Sequence, residues 1–288
     1  MATMLQQRSS PRALQPFTIP GVARYATAPP WKLLATLLPF ALLGALVTVF
    51  MVSQCWTPVI TEAVSNLPAN SVIVAGQLSW PEKQGRLLGA NEFLSIETIT
   101  PADTIEARAT DLSILLEADD FRVGSLAGYA SFPYPNRWEI KLDRDTVAPW
   151  WGAWRPALLA FFAGVTLLAL LASWSLLGMV YSLIVLWIAL LFNRDLAWRQ
   201  AWKISCAAQM PGALLISFAI LLYGLGEIAL IFFLILAGAH FAVTWLYLLL
   251  VPFCISKKEK SAKNPFRNER LKSGSKRKRN PFNTGETE

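Results

Sequence analysis

Charge is scarce in this 288-residue chain. Asp, Glu, Lys and Arg make up 16% of it, against about 25% in an ordinary soluble domain. Histidine is scarcer still, with one residue, and there are three cysteines. One histidine excludes His-rich metal centres and Cys–His clusters. Cys55, Cys206 and Cys254 share no metal-type spacing and read as inert thiols packed as small hydrophobes. Residues 56–154 hold no cysteine at all, so no disulfide staples that stretch. The sequence also lacks Gly-x-Ser-x-Gly, His-Glu-x-x-His, a phosphate-binding Gly-Lys-Ser/Thr and a dinucleotide fingerprint. What fills the chain instead is apolar: 54% hydrophobic residues and a mean hydropathy of +0.41. That excludes a disordered chain and argues against a simple soluble enzyme.

The apolar residues are gathered into runs. Residues 33–61 and 156–193 carry no charge, and 204–256 are interrupted only by Glu227. A spanning helix needs ~20 predominantly apolar residues. The first run predicts one span over residues 33–53. The third predicts two, over 204–223 and 228–253. Between them Tyr223-Gly224-Leu225-Gly226-Glu227 suits a tight turn. At ~1.5 Å per residue the second run is far longer than the ~30 Å hydrocarbon core. It is one overlong helix or two short spans, with only Gly178 near its middle. Pro39 and Pro211 fall near span ends on this reading, and neither internal repeats nor interrupted helices stand out.

Charge distribution chooses the topology. Residues 1–32 hold four basic residues and no acid; 56–154 hold 13 acidic and 7 basic residues; the 254–288 tail holds 11 basic and 4 acidic. Lys/Arg-rich flanks stay in the cytoplasm. The expected organisation is therefore a cytoplasmic segment 1–32, a first transmembrane helix 33–55 serving as an uncleaved signal anchor, and an extracytoplasmic domain 56–154. A helix bundle 155–253 with an inner loop 194–203 follows, then a basic, disordered cytoplasmic tail 254–288. The fold class is an α-helical transmembrane bundle with a small extracytoplasmic α+β domain. Four spans are favoured over five, because five would export the tail. Trp31, Trp56, Trp150, Trp151, Trp154, Trp198 and Trp202 fall where interfacial anchors belong.

Within 56–154, Thr57-Pro58 can cap a helix, and Ile60, Val64 and Leu67 continue it to Pro68. Residues 71–74, 93–99, 112–116, 121–123 and 138–142 read as strands, with Ala118-Asp119-Asp120 as a hairpin turn. Four to six strands are expected, held near the membrane by residues 150–154.

A resemblance enters on these segments. Val72-Ile73-Val74-Ala75-Gly76-Gln77-Leu78, the paired strands of 110–126 with 138–142, and the basic inner loop leading to Met210-Pro211 resemble bacterial multi-pass proteins labelled maltodextrin-utilisation proteins. Their helix bundle is in turn similar to the Yip-type membrane proteins. The resemblance covers residues 15–253. It implies a bacterial inner-membrane location and no particular reaction.

His240 sits mid-span and is a candidate ligand-binding or proton-relay group. Its alternative is a neutral imidazole bonded to a neighbouring helix through Ser217 or Ser182. Glu227 reads as solvated at the outer turn. Asp143-Arg144-Asp145 and Asp119-Asp120 offer too few oxygens for calcium and read as solvated turns. Arg137-Trp138 beside Tyr134-Pro135 reads as strand-edge packing rather than a sugar-stacking platform. In the tail, Lys276-Arg277-Lys278-Arg279 is a candidate contact for anionic lipid, with no specific nucleic acid expected. Asn264-Pro265-Phe266 and Asn280-Pro281-Phe282 repeat a turn-forming tripeptide. The chemistry implied is a non-enzymatic accessory or scaffold, without metal or cofactor. Its partners are the bilayer and another membrane or periplasmic protein. The alternative is a small transporter or permease component using 156–253, and an outer-domain enzyme ranks last.

Overall fold

The computed structural model describes residues 14–82, 84–99 and 110–257. It is 61% helical. Among the described residues four helices are long and apolar enough to cross a membrane, which is compatible with a membrane protein. Their side chains explain why they gather. Leu34, Leu46, Phe161, Leu168, Leu183, Phe218 and Ile235 stay exposed, while small residues such as Ala41, Ala45, Ala213 and Ala219 face inward beside Leu37, Val185 and Leu248. Close approach of small residues, not burial of every Leu, is how helices pack in an apolar solvent.

A short helix α1 (Ile19–Ala23) precedes α2 (Pro30–Met51). Pro39 lies well inside α2 rather than near its end. A π-turn (Val52–Trp56) carries α2 without a break into α3 (Thr57–Ser65). Thr57 therefore does not cap a new helix, and its hydroxyl donates back to the Val52 carbonyl at 3.2 Å. The wide π-turn re-aims the chain so that α3 enters the strand domain.

That domain has eight strands among the described residues, more than the sequence pattern predicts. A three-stranded sheet has the order β2 (Gln77–Ser79), β1 (Val72–Val74), β8 (Ile140–Lys141). A five-stranded sheet runs β3 (Leu87–Ala90), β4 (Leu94–Thr98), β5 (Leu112–Leu116), β6 (Asp120–Ser125), β7 (Gly128–Pro133). All pairs are antiparallel except β4–β5. The β1–β2 turn is Ala75-Gly76, both at positive φ (51° and 80°), as a two-residue hairpin of matching twist demands. Of the 138–142 alternation, Ile140 and Lys141 pair with β1, and Leu142 N donates to Ser71 O at 2.9 Å. The missing strands in the sequence reading are β2, β3 and β7, which are short or Gly-bearing and leave little periodicity to find. Leu88, Val59 and Ala63 are buried where α3 lies on β3. A Cβ on Gly89 would sit 2.7 Å from the Val59 carbonyl oxygen, so glycine allows that contact.

Helix α4 (Arg144–Leu191) starts in the strand domain and runs for 48 residues without a break. That is about 72 Å, and it answers the one-helix-or-two question in favour of one. Asp143 caps it, accepting from Thr146 N at 2.8 Å. This bond is the main reason the Asp143 carboxyl titrates below its ordinary value. Trp150, Trp151 and Trp154 lie on the first turns of α4 and not before it. The chain then returns through α5 (Trp198–Ala208) and α6 (Met210–Gly224), turns at Leu225–Glu227, and ends in α7 (Leu230–Leu250) with a 3-10 turn (Val251–Cys254). Gly226 takes φ 75° in that turn. A continuous core of Tyr25, Leu33, Val185, Ala201, Ile204, Leu248 and Val251 closes the bundle at the end away from the strands.

Candidate functional site

The α5–α6 stretch bends at Gln209, which lies buried in the middle of the bundle. The cause is local. Pro211 has no N–H to give to the Ala207 carbonyl, so the helix cannot continue unchanged. Gln209 itself keeps right-handed helical backbone angles, φ −79° and ψ −18°, so the stretch bends at one residue and still forms a single 27-residue apolar helix, Trp198–Gly224. Gln209 Nε2 donates to Trp174 O at 2.9 Å and to Ser205 O at 3.2 Å. It ties α5 and α6 to α4 across the bundle.

Gln209 forms one wall of a cavity of about 280 Å³ between α2, α4, α6 and α7. Thr48, Ser173, Ser217, Thr244 and His240 line it as well, with the rings of Trp174, Tyr181 and Phe241. Each of the four Ser and Thr hydroxyls already gives its proton to its own helix. Thr48 donates to Gly44 O (2.7 Å), Ser173 to Leu170 O (2.9 Å), Ser217 to Ala213 O (2.8 Å) and Thr244 to His240 O (3.1 Å). What remains on these oxygens is acceptor capacity. His240 follows the same rule. Its Nδ1 bonds the Ala237 carbonyl, and a carbonyl only accepts, so Nδ1 carries the proton. In the neutral ring Nε2 is then an acceptor. The Ser and Thr hydroxyls thus present acceptors to a largely apolar cavity whose lining also includes the donor-bearing Tyr181 and Trp174, and the space suits a small neutral molecule.

His240 does not bond a neighbouring helix through Ser217 or Ser182. Those hydroxyls serve Ala213 and Met179. The interhelical contact at His240 is made by its backbone: a Cβ on Gly212 would lie 2.6 Å from the His240 carbonyl oxygen. Gln209 was missed because the sequence reading counted only ionisable residues in the charge-free runs. An amide two residues before a proline, inside a charge-free apolar run, was the available signal.

A second cluster joins the bundle to the strand domain. Cys55, Phe93 and Tyr223 are buried together, with Phe93 and Tyr223 edge-to-face at 5.0 Å. Asn91 Oδ1 accepts from Phe93 N and Leu94 N, both at 2.9 Å, and its Nδ2 donates to the Cys55 carbonyl at 2.6 Å. That carbonyl lies in the π-turn of Val52–Trp56. Tyr223 donates to Asp111 Oδ2 at 2.6 Å.

The tryptophans divide. Trp31, Trp150, Trp154 and Trp198 are exposed, and Trp56 is half-buried. Trp151 donates to Thr61 Oγ1 at 3.0 Å, binding α4 to α3, and Trp202 donates to Ser175 O at 3.1 Å, binding α5 to α4. Cys55 and Cys206 are buried, but Cys254 is exposed. It lies on the final 3-10 turn, beyond the packed faces of α7, so the expectation of three buried thiols fails there. Lys276, Arg277, Lys278, Arg279 and both Asn-Pro-Phe tripeptides lie outside the described residues. Among the described residues no group of His, Cys, Asp and Glu is placed to hold a metal ion. No family model, curated protein or solved structure matches this chain.

Proposed function

We propose that this chain is a non-enzymatic accessory protein of the bacterial inner membrane. Its four apolar helices span the bilayer with both termini in the cytoplasm, and the helices hold the strand domain outside as a rigid mount for another membrane or periplasmic protein. The observation that carries the reading is the joint at Tyr223, Asp111, Asn91 and Cys55. A domain on a flexible tether has no use for a buried aromatic pair and two interelement hydrogen bonds. A domain that must present a surface at a fixed height and angle does. The surface presented includes β7, an edge strand exposed along its whole length. Tyr129 is 73% and Leu126 71% exposed. An unpaired edge with apolar side chains is a template for strand addition.

The test is site-specific photo-crosslinking at position 129 in native membranes, on the full chain. A stoichiometric adduct, lost when Ser131→Pro blocks the edge, is expected, because the Ser131 N–H faces away from β6. A chain that purifies from mild detergent at the mass of one copy, with no adduct, overturns the reading.

The cavity beside Gln209 and His240 favours a second reading, a transporter or permease component that carries a small neutral solute through the bundle. His240→Ala leaving solute flux unchanged in reconstituted vesicles overturns that mechanism.

A further inference from the structure

A larger pocket, of about 600 Å³, lies at the end of the bundle away from the strand domain. It is built by the start of α2, the middle of α4 and the first turns of α5. Its walls are Leu176 and Met179 on one side and the rings of Trp198 and Trp202 on the other, with Arg199 and Lys203 alongside. No carboxylate lines it. Among the described residues neither cation is paired with an acid.

The local sequence explains how this comes about. Arg199 and Lys203 are four residues apart, so they share one face of α5. The opposite face, with Ala201, Ile204 and Ala208, is fully buried. Two bonds fix the walls. Trp202 Nε1 donates to Ser175 O at 3.1 Å, and Lys203 Nζ donates to Ala28 O at 2.6 Å. The lysine is thus held in place and keeps two more donors. Arg199 lies on the first turn of α5, where the helix dipole also favours an anion, and Lys203 one turn further on. Apolar and aromatic walls with cations at the side match one chemical class, an amphipathic anion.

We infer that this pocket binds an anionic phospholipid. The phosphate lies on Arg199 and Lys203, and an acyl chain follows Leu176 and Met179 between the indole rings. The site is separate from the cavity at Gln209 and from the basic tail, and it rests on the proposal that the chain spans a membrane. It would fasten the α4–α5 pair, which leads into the bend at Gln209, to the charged leaflet.

The test uses the full chain in vesicles of neutral lipid doped with phosphatidylglycerol or, as control, with more phosphatidylcholine. Bound lipid is counted by native mass spectrometry, and contact is read from quenching by brominated acyl chains against a Trp198→Phe background. Phosphatidylglycerol is expected to be retained preferentially. Arg199→Gln removes one exposed charge and should cut the preference about 5-fold, and adding Lys203→Gln about 30-fold in total. Arg199→Lys should keep most of it. Unchanged preference in Arg199→Gln and in the double variant overturns the site. So does inorganic phosphate displacing the lipid readily, which would mark a free-anion site. A chain that fails to insert into any vesicle overturns the membrane proposal itself. A chain that inserts and shows no preference overturns only the pocket.

Discussion

The Tyr223 hydroxyl donates to Asp111 Oδ2 at 2.6 Å, joining the last turn of α6 to the residue before β5. The two lie 112 positions apart in the chain. A neutral donor on a carboxylate is among the stronger hydrogen bonds, with a net value of ~1.5–3 kcal/mol. Tyr223→Phe keeps the ring against Phe93 and removes only this bond. It should lower stability by about that amount in a thermal melt in detergent. More telling, it should raise hydrogen exchange in β4 and β5 without raising it in α4. Equal protection of β5 in both proteins would mean that the strand domain is held by other contacts.

Gly178 offers a test of helix packing that separates close approach from mere small size. A Cβ there would lie 2.4 Å from Cys206 Sγ, while its next neighbours, Cys206 N and Trp202 Nε1, stand at an ordinary 3.5 Å. Gly178→Ala should therefore destabilise the bundle by about 1–3 kcal/mol as an overpacked contact. Cys206→Ala removes the clashing sulfur. In that background Gly178→Ala should cost much less, giving a clear coupling in a double-mutant cycle of melting curves. Additive costs would show that α4 and α5 do not meet through this pair.

Much of this architecture is legible in the residues, and the failures share a cause. Glu227 with its two glycines marks the α6–α7 turn, and Ala118-Asp119-Asp120 marks the β5–β6 hairpin, because both signals are local. The charge-free count placed the third span at Ile204, since Lys203 ended the run. The helix in fact starts at Trp198. Arg199 and Lys203 ride on its outer face while Ala201 and Ile204 are buried. Starting the helix six residues earlier moves Gln209 and Pro211 from the span end to mid-bundle, and the bend becomes visible. The parallel pairing of Leu94 with Leu112 has no local signal at all. Neither has the Tyr223–Asp111 bond, which exists only after four helices and two sheets have assembled.

Tyr134 gives the strand domain a pH signature. It is buried, its hydroxyl donates to Glu117 O at 3.1 Å, and Phe121 lies beside it. Burial, and then the nearby Asp120 and Glu117 charges, push its phenol well above the ordinary value. The folded state thus keeps the proton at pH values where the unfolded chain, with an ordinary pKa of about 10, has lost it. Its contribution is full below pH ~10 and is lost as pH rises from there through the higher folded value. Denaturant midpoints measured from neutral to strongly alkaline pH should fall on this limb. Tyr134→Phe should flatten it while costing some stability at neutral pH. An alkaline limb of the same slope in Tyr134→Phe would assign the effect to other groups.

Cys254 turns the proposed topology into a labelling experiment. It is exposed, whereas Cys55 and Cys206 are buried. Cys55 donates to Gly224 O at 3.4 Å and Cys206 to Trp174 O at 3.7 Å, both inside packed helix contacts. A membrane-impermeant maleimide should therefore add one label to the native chain and three after denaturation. Cys254 ends the bundle on the side of Arg194, whose guanidinium donates to Ile255 O at 2.6 Å. Under the proposed orientation that side is cytoplasmic. Inside-out vesicles should then label and right-side-out vesicles should not, and Cys254→Ser should abolish the native signal. A label acquired in right-side-out vesicles would invert the orientation and place the strand domain in the cytoplasm. A native signal that survives Cys254→Ser would show that one of the helix contacts at Cys55 or Cys206 opens in the membrane.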